Sequence, residues 1–260
     1  MINKFPYFPF KITTLWALIF MFASCSKREE FVFEKQIFET ATYLDCNPVD
    51  CAIIEIRLVQ LLNDTKVGNQ INRTLETKAC EFLTIEENST TTSIETAMIS
   101  FNKLYTDIVE AFPEETPPYE ALLDSEVQFQ NAQLASVLLN TYSFTGGAHG
   151  NTTTMLLNFD LSTGRLISID NLVKDTKAFS QYVEKKFRST YTIPSQKGIN
   201  STGFSFDNDQ FSLPEHIGFT NNEIILHYNH YEISSYADGP VVLKIDKAEA
   251  ADYFDFNILE

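Results

Sequence analysis

In three runs, residues 119–130, 133–144 and 152–161, the side-chain pattern shifts toward a period of two. A period of two is the signature of half-buried strands. Three such runs joined by short polar stretches predict successive antiparallel strands, and STGR (residues 162–165) has turn composition. Two helical patterns precede them. Ile71, Leu75, Ala79 and Phe82 recur at helical spacing in 68–83. Ile94, Ala97, Met98, Phe101, Leu104, Tyr105, Ile108 and Val109 form an apolar stripe in 92–112, closed by Pro113 and Pro117-Pro118. Strand-like alternation also fits 31–43 and 52–60. Beyond the turn, IDNL (169–172) leads into a helix at 177–190 that carries Phe179, Tyr182, Val183 and Phe187 on one face. Strands are expected at 211–219, 223–230 and 241–245, then a short helix at 247–253. Strands dominate and no βαβ alternation is visible. The expected class is α+β, with antiparallel sheets and segregated helices packed on one face.

The N-terminus reads as an export signal. Lys4 and Lys11 are its charges, and no acid precedes Glu29. The apolar run ITTLWALIFMF (12–22) is shorter than the roughly 20 residues a membrane-spanning helix needs. It fits the hydrophobic region of a signal peptide. Phe22-Ala23-Ser24-Cys25 resembles a bacterial lipobox, in which the cysteine is acylated and becomes the first mature residue; Phe22 stands where an aliphatic residue is usual. The domain expectation is therefore a signal peptide at 1–24, a tether at 25–30, and two halves at 31–130 and 131–260. The tether KREE (27–30) resembles surface-export signals of Bacteroidetes lipoproteins, and reads equally as a solvated linker. The location expected is the cell envelope, with the chain lipid-anchored to the outer membrane on its periplasmic or surface face.

An exported chain folds where disulfides persist. CNPVDC places Pro48 between Cys46 and Cys51, and these two are the expected bridge; Cys80 is expected free in a helix, with its pairing open. The formal charge is −16. Loss of residues 1–24 removes two lysines and no acid, which leaves −18. Such a chain repels nucleic acid and attracts cations.

Two segments carry a resemblance. The first is YSFTGGAHGN (142–151), followed by LNFDLSTG (157–164) and IDNL (169–172). The second is YNHYEISSYADGP (228–240) with the strand and helix after it. In this order and spacing they resemble the extracytoplasmic module shared by the anti-sigma factor RsiV and the peptidoglycan deacetylase PdaC, with 31–130 similar to its N-terminal half. The resemblance implies an envelope module that binds a cell-wall component or, as in RsiV, lysozyme. No Asp-His-His metal pattern of a deacetylase domain and no sigma-binding segment is found in this sequence.

The candidate site residues come from the same strings. His149 is either a ligand-contacting or catalytic histidine, or part of a strand connection in which Gly146, Gly147 and Gly150 supply positive φ. Tyr231, Glu232 and Tyr236 are candidate ligand contacts; Glu232 could serve as acid or base, or bond a turn. His227 and His230 are three apart, which on a strand places them on opposite faces and disfavours a shared metal. Asp207 and Asp209 lack the rest of a calcium loop. No cofactor and no metal site is expected. Two function classes follow. One is a non-catalytic envelope lipoprotein that binds a wall component or a cationic wall-active protein. The other is a wall-glycan hydrolase or deacetylase that uses His149 with a carboxylate.

Overall fold

The computed structural model describes residues 1, 31–45, 47, 50–85, 91, 93–113 and 116–259. The signal region and Cys25 lie outside them, as does Cys46. Among the described residues, no helix is long and apolar enough to cross a membrane.

The elements follow the expected order with two differences: a helical turn ends the strand expected over 31–43, and a two-residue strand closes the turn at 162–165. They are β1 (Phe33–Glu39), a single helical turn α1 (Thr40–Tyr43), β2 (Ile53–Leu61), α2 (Lys66–Leu83), α3 (Ile94–Ala111), β3 (Glu120–Gln130), β4 (Leu134–Phe144), β5 (Asn151–Asp160) and the two-residue β6 (Arg165–Leu166). The six strands make one sheet in chain order. All neighbours are antiparallel except β2 and β3, which run parallel. A parallel pair needs a long crossover, and α2 and α3 supply it together. The sheet is therefore mixed rather than wholly antiparallel, because a crossover made of two helices does not show as βαβ alternation.

Thr65 and Ser93 cap α2 and α3 by accepting bonds from Gly68 N and Thr96 N. Ile71, Leu75, Ala79 and Leu83 of α2 are buried with Ala97, Met98 and Phe101 of α3 in a core shared with β2 to β5. Cys80 is a free, buried thiol in α2, as expected, and burial is the main cause that raises its pKa.

The rest of the chain builds a second core. It comprises the turn α4 (Ile169–Leu172), α5 (Thr176–Thr190), the antiparallel sheet β7 (His216–Phe219), β8 (Glu223–Tyr228) and β9 (Val241–Asp246), and the turn α6 (Lys247–Ala250). Phe187 of α5 sits at its centre, with the rings of Tyr191, Phe204, Phe206, Phe211 and Tyr228 at 4.5–6.0 Å. Two expected strands are shorter than read. The first begins only at His216, after Pro214, which has no N–H to give a ladder. The second ends at Tyr228, where the chain turns and Tyr231 takes φ +66°.

The two sheets meet at β7. Its backbone groups on the side away from β8 bond to side chains of the first sheet: Phe219 N donates to Ser136 Oγ at 3.0 Å, and Asn158 Nδ2 donates to Ile217 O at 2.6 Å. These bonds satisfy an edge that would otherwise be open. A Cβ on Gly218 would lie 2.9 Å from Leu156, so only glycine allows this approach. The contact explains why β4 and β5 are buried on both faces: the helices cover one and β7 the other.

Candidate functional site

The GGAHG loop leaves the end of β4 and returns to β5. Gly146 and Gly147 adopt φ +93° and +96°, the conformation expected of them. Gly150 does not. Its role is steric, since a Cβ there would stand 2.3 Å from the Tyr142 ring. With that backbone pressed on Tyr142, His149 projects from the loop and is exposed. His149 Nδ1 lies 2.9 Å from Gly150 O. A carbonyl only accepts, so Nδ1 is the donor in this bond.

The second string arrives from β8. At Thr154 no strand pairs with the outer edge of β5, and Asn229 takes that place. Its Nδ2 donates to Thr154 O at 2.9 Å and its Oδ1 accepts from Thr154 N at 2.8 Å, as a neighbouring strand would. Fixed there, the loop brings Tyr236 onto His149. The rings stack at 3.9 Å between centroids and 17° between planes. Tyr236 Oη donates to the same Gly150 carbonyl at 3.0 Å. His230 and Tyr231 continue the cluster at 4.8 and 5.9 Å from the Tyr236 ring, each tilted 29°. Tyr231 is 65% exposed. Four rings thus form a surface patch around Tyr236, and three candidate residues, His149, Tyr231 and Tyr236, come together in it. His230, which the sequence marks only as half of a disfavoured metal pair, joins them.

Glu232 faces away from this chemistry. Its Oε2 accepts from Asn229 N at 2.9 Å and its Oε1 from Glu215 N at 3.2 Å, so it ties a turn. Burial pushes its carboxyl up, and the two backbone bonds partly offset this. Among the described residues no carboxylate makes an ion pair with His149, and no group of three metal-ligating side chains is found. His227 is buried and pairs in register with His216 across β7 and β8. Desolvation lowers its pKa to about 4. Asp209 is a clasp: its Oδ1 accepts from Asn200 N at 2.8 Å. Cys51 is buried, and its expected partner Cys46 lies outside the described residues.

Residues 47–152 match the family model described as Deacetylase PdaC, and residues 170–248 match that of a protein of unknown function, DUF3298. The chain pairs a PdaC-like segment with a DUF3298 segment. His149 lies in the first match, and His230, Tyr231 and Tyr236 lie in the second, so the ring patch is where the two meet. The fold is similar to the crystal structure of a DUF3298 family member from Bacteroides fragilis NCTC 9343, with a TM-score of 0.71 and 19% identity over 88% of this chain and 96% of that one. A DUF3298 family protein from Pseudomonas aeruginosa PAO1 gives a TM-score of 0.62 and 17% identity over 89% and 97%. No curated protein matches the chain. The two matches together suggest a cell-wall-related extracytoplasmic module and fit a place in the cell envelope.

Proposed function

We propose that the chain is a non-catalytic envelope lipoprotein, anchored through Cys25, that binds a cationic wall-active protein of the lysozyme type through the ring patch around Tyr236. The observation that carries this reading is the patch itself. Rings from the two matched segments are stacked, with His149 and Tyr231 exposed and His149 and Tyr236 pinned to one carbonyl, and among the described residues no ion pair joins His149 to a carboxylate. Aromatic faces attract Lys and Arg side chains by about 0.5–2 kcal/mol per contact. The formal charge of −16 steers a basic partner toward the surface. Steering weakens with salt, as the Debye length falls from about 10 Å at 0.1 M to about 3 Å at 1 M.

One observation favours the enzyme reading: the Gly150 carbonyl holds His149 Nδ1–H, the arrangement that leaves Nε2 free to take a proton. Calorimetry separates the two. On the binding reading, lysozyme binds more tightly than to an unrelated protein of equal negative charge, and Tyr231→Ala and Tyr236→Ala weaken it. Binding no stronger than that control, with turnover of peptidoglycan fragments that vanishes in His149→Ala, establishes the enzyme instead. The anchor has its own test. Labelled fatty acid is incorporated by the wild type and not by Cys25→Ala; equal incorporation refutes it.

A further inference from the structure

A second surface feature is lined in part by the loop that carries the ring patch. Tyr191, Thr202, Gly203, Phe204, Ser234 and Asp238, with Pro240 to Val242, line a groove of about 410 Å³. That volume is within the roughly 300–1,000 Å³ of small-molecule sites. The rings of Tyr191 and Phe204 stand 5.1 Å apart at 74°, so they make a corner with one face turned against the other's edge. Both are fixed from behind by Phe187, at 4.5 and 4.9 Å. Tyr191 Oη donates to Val242 O at 3.0 Å, which holds the corner against β9. Gly203, at φ +105°, has nothing within 4 Å of where a Cβ would stand, so the mouth stays open.

The polar groups of the groove are of one kind. Asp238 Oδ2 is oriented by Ser235 Oγ, and its Oδ1 accepts no hydrogen bond among the described residues. Ser234 Oγ is committed to Gly239 O at 2.6 Å. Thr202 is exposed. No Lys, Arg or His is among the lining residues. An anion therefore finds a carboxylate and no cation. An extended peptide added along β9 would need Val242 O, which Tyr191 already occupies. The rings and the carboxylate suit a ligand rich in hydroxyl donors and flat enough to lie on an aromatic ring; a cationic ligand meets the same two features and is the competing occupant. We propose that this groove is a binding site for a neutral saccharide, with a sugar face against the Tyr191–Phe204 corner and a ring hydroxyl donating to Asp238. The proposal does not depend on the protein-binding reading.

Saturation-transfer NMR on the full chain tests it with three uncharged probes: cellotriose, maltotriose and the trimer of N-acetylglucosamine. At least one probe is expected to receive saturation at its ring protons. Asp238→Asn and Phe204→Leu, the second chosen to keep packing volume while removing the ring face, should each weaken its titrated affinity about tenfold or more, as loss of a hydrogen bond to a charged group implies. Circular dichroism confirms that both variants are folded. No transfer to any probe overturns the proposal, and so does transfer whose titrated affinity is unchanged in both folded variants.

Discussion

Lys247 opens α6 and is only 2% exposed, among the most buried side chains of the protein. Its Nζ donates to Thr220 O at 3.1 Å and stands 3.5 Å from the centroid of the Phe129 ring. Neither contact is a counter-ion. Desolvation lowers the folded-state pKa from 10.5 to about 8. Between those values the unfolded chain holds a proton that the folded chain has released. Stability therefore rises with pH through this window, and the cost of the buried charge is fully present below pH 8. From pH 7 to 9.5 the gain integrates to about 2 kcal/mol. Higher pH is less informative, because burial raises the Tyr228 and Tyr191 hydroxyls and their titration acts in the opposite direction.

The variant that isolates the effect is Lys247→Met, which fills a similar space without the charge. It leaves Thr220 O without its Nζ donor, at about 1–3 kcal/mol, and removes the buried ammonium, so its stability at pH 7 should stay near that of the wild type. The difference lies in the slope. Urea unfolding should show the wild type gaining about 2 kcal/mol between pH 7 and 9.5 relative to Lys247→Met. In thermal melts this amounts to about 4–8 °C for a chain of this size. Far-ultraviolet circular dichroism is the suitable probe, because Trp16 is the single tryptophan and falls within the expected signal peptide. Parallel stability curves for the two proteins would refute the claim that the lysine is buried and charged at neutral pH.

The other predictions concern the second sheet, the loop and the cysteines. His227, with a folded pKa of about 4 against 6.5 unfolded, contributes stability that is present above pH 6.5 and lost as pH falls toward 4. Wild type should lose about 2 kcal/mol between pH 8 and 5 that His227→Gln does not, measured by urea unfolding. Gly150→Ala drives a Cβ into the Tyr142 ring and should cost about 1–3 kcal/mol; an unchanged melting temperature would show that the loop yields freely. Non-reducing peptide mapping should find Cys46 joined to Cys51 and Cys80 unmodified, and a peptide linking Cys80 to either one would disprove the pairing.

Which parts were legible follows from what periodicity encodes. The spacing of Ile71, Leu75 and Ala79, and of Ala97, Phe101 and Tyr105, reports which face of each helix is buried, and the structure uses those faces. Alternation marks a strand but says nothing of its partner, so the parallel pairing of β2 with β3 was hidden behind two helices. At the site, the two strings were recognisable as strings. The stacking of His149 on Tyr236 was not, because it depends on Asn229 docking against Thr154, a contact between residues 75 apart in the chain. Lys247 shows the same limit. At the start of a polar helix it reads as solvated, and only the fold brings Phe129 and Thr220 to it.

The placement of the ring patch also bears on how the two segments depend on each other. The glycines of the first string set His149 in position, while Tyr236 of the second fills the space beside it, and both donate to Gly150 O. Asn229 completes the arrangement by bonding the otherwise unpaired edge of β5. Elsewhere the second sheet is held by Ser136 and Asn158 of the first. The bonds of Asn229, Tyr236, Ser136 and Asn158 each join a side chain on one part of the chain to backbone on the other. A surface assembled in this way exists only when both are folded together.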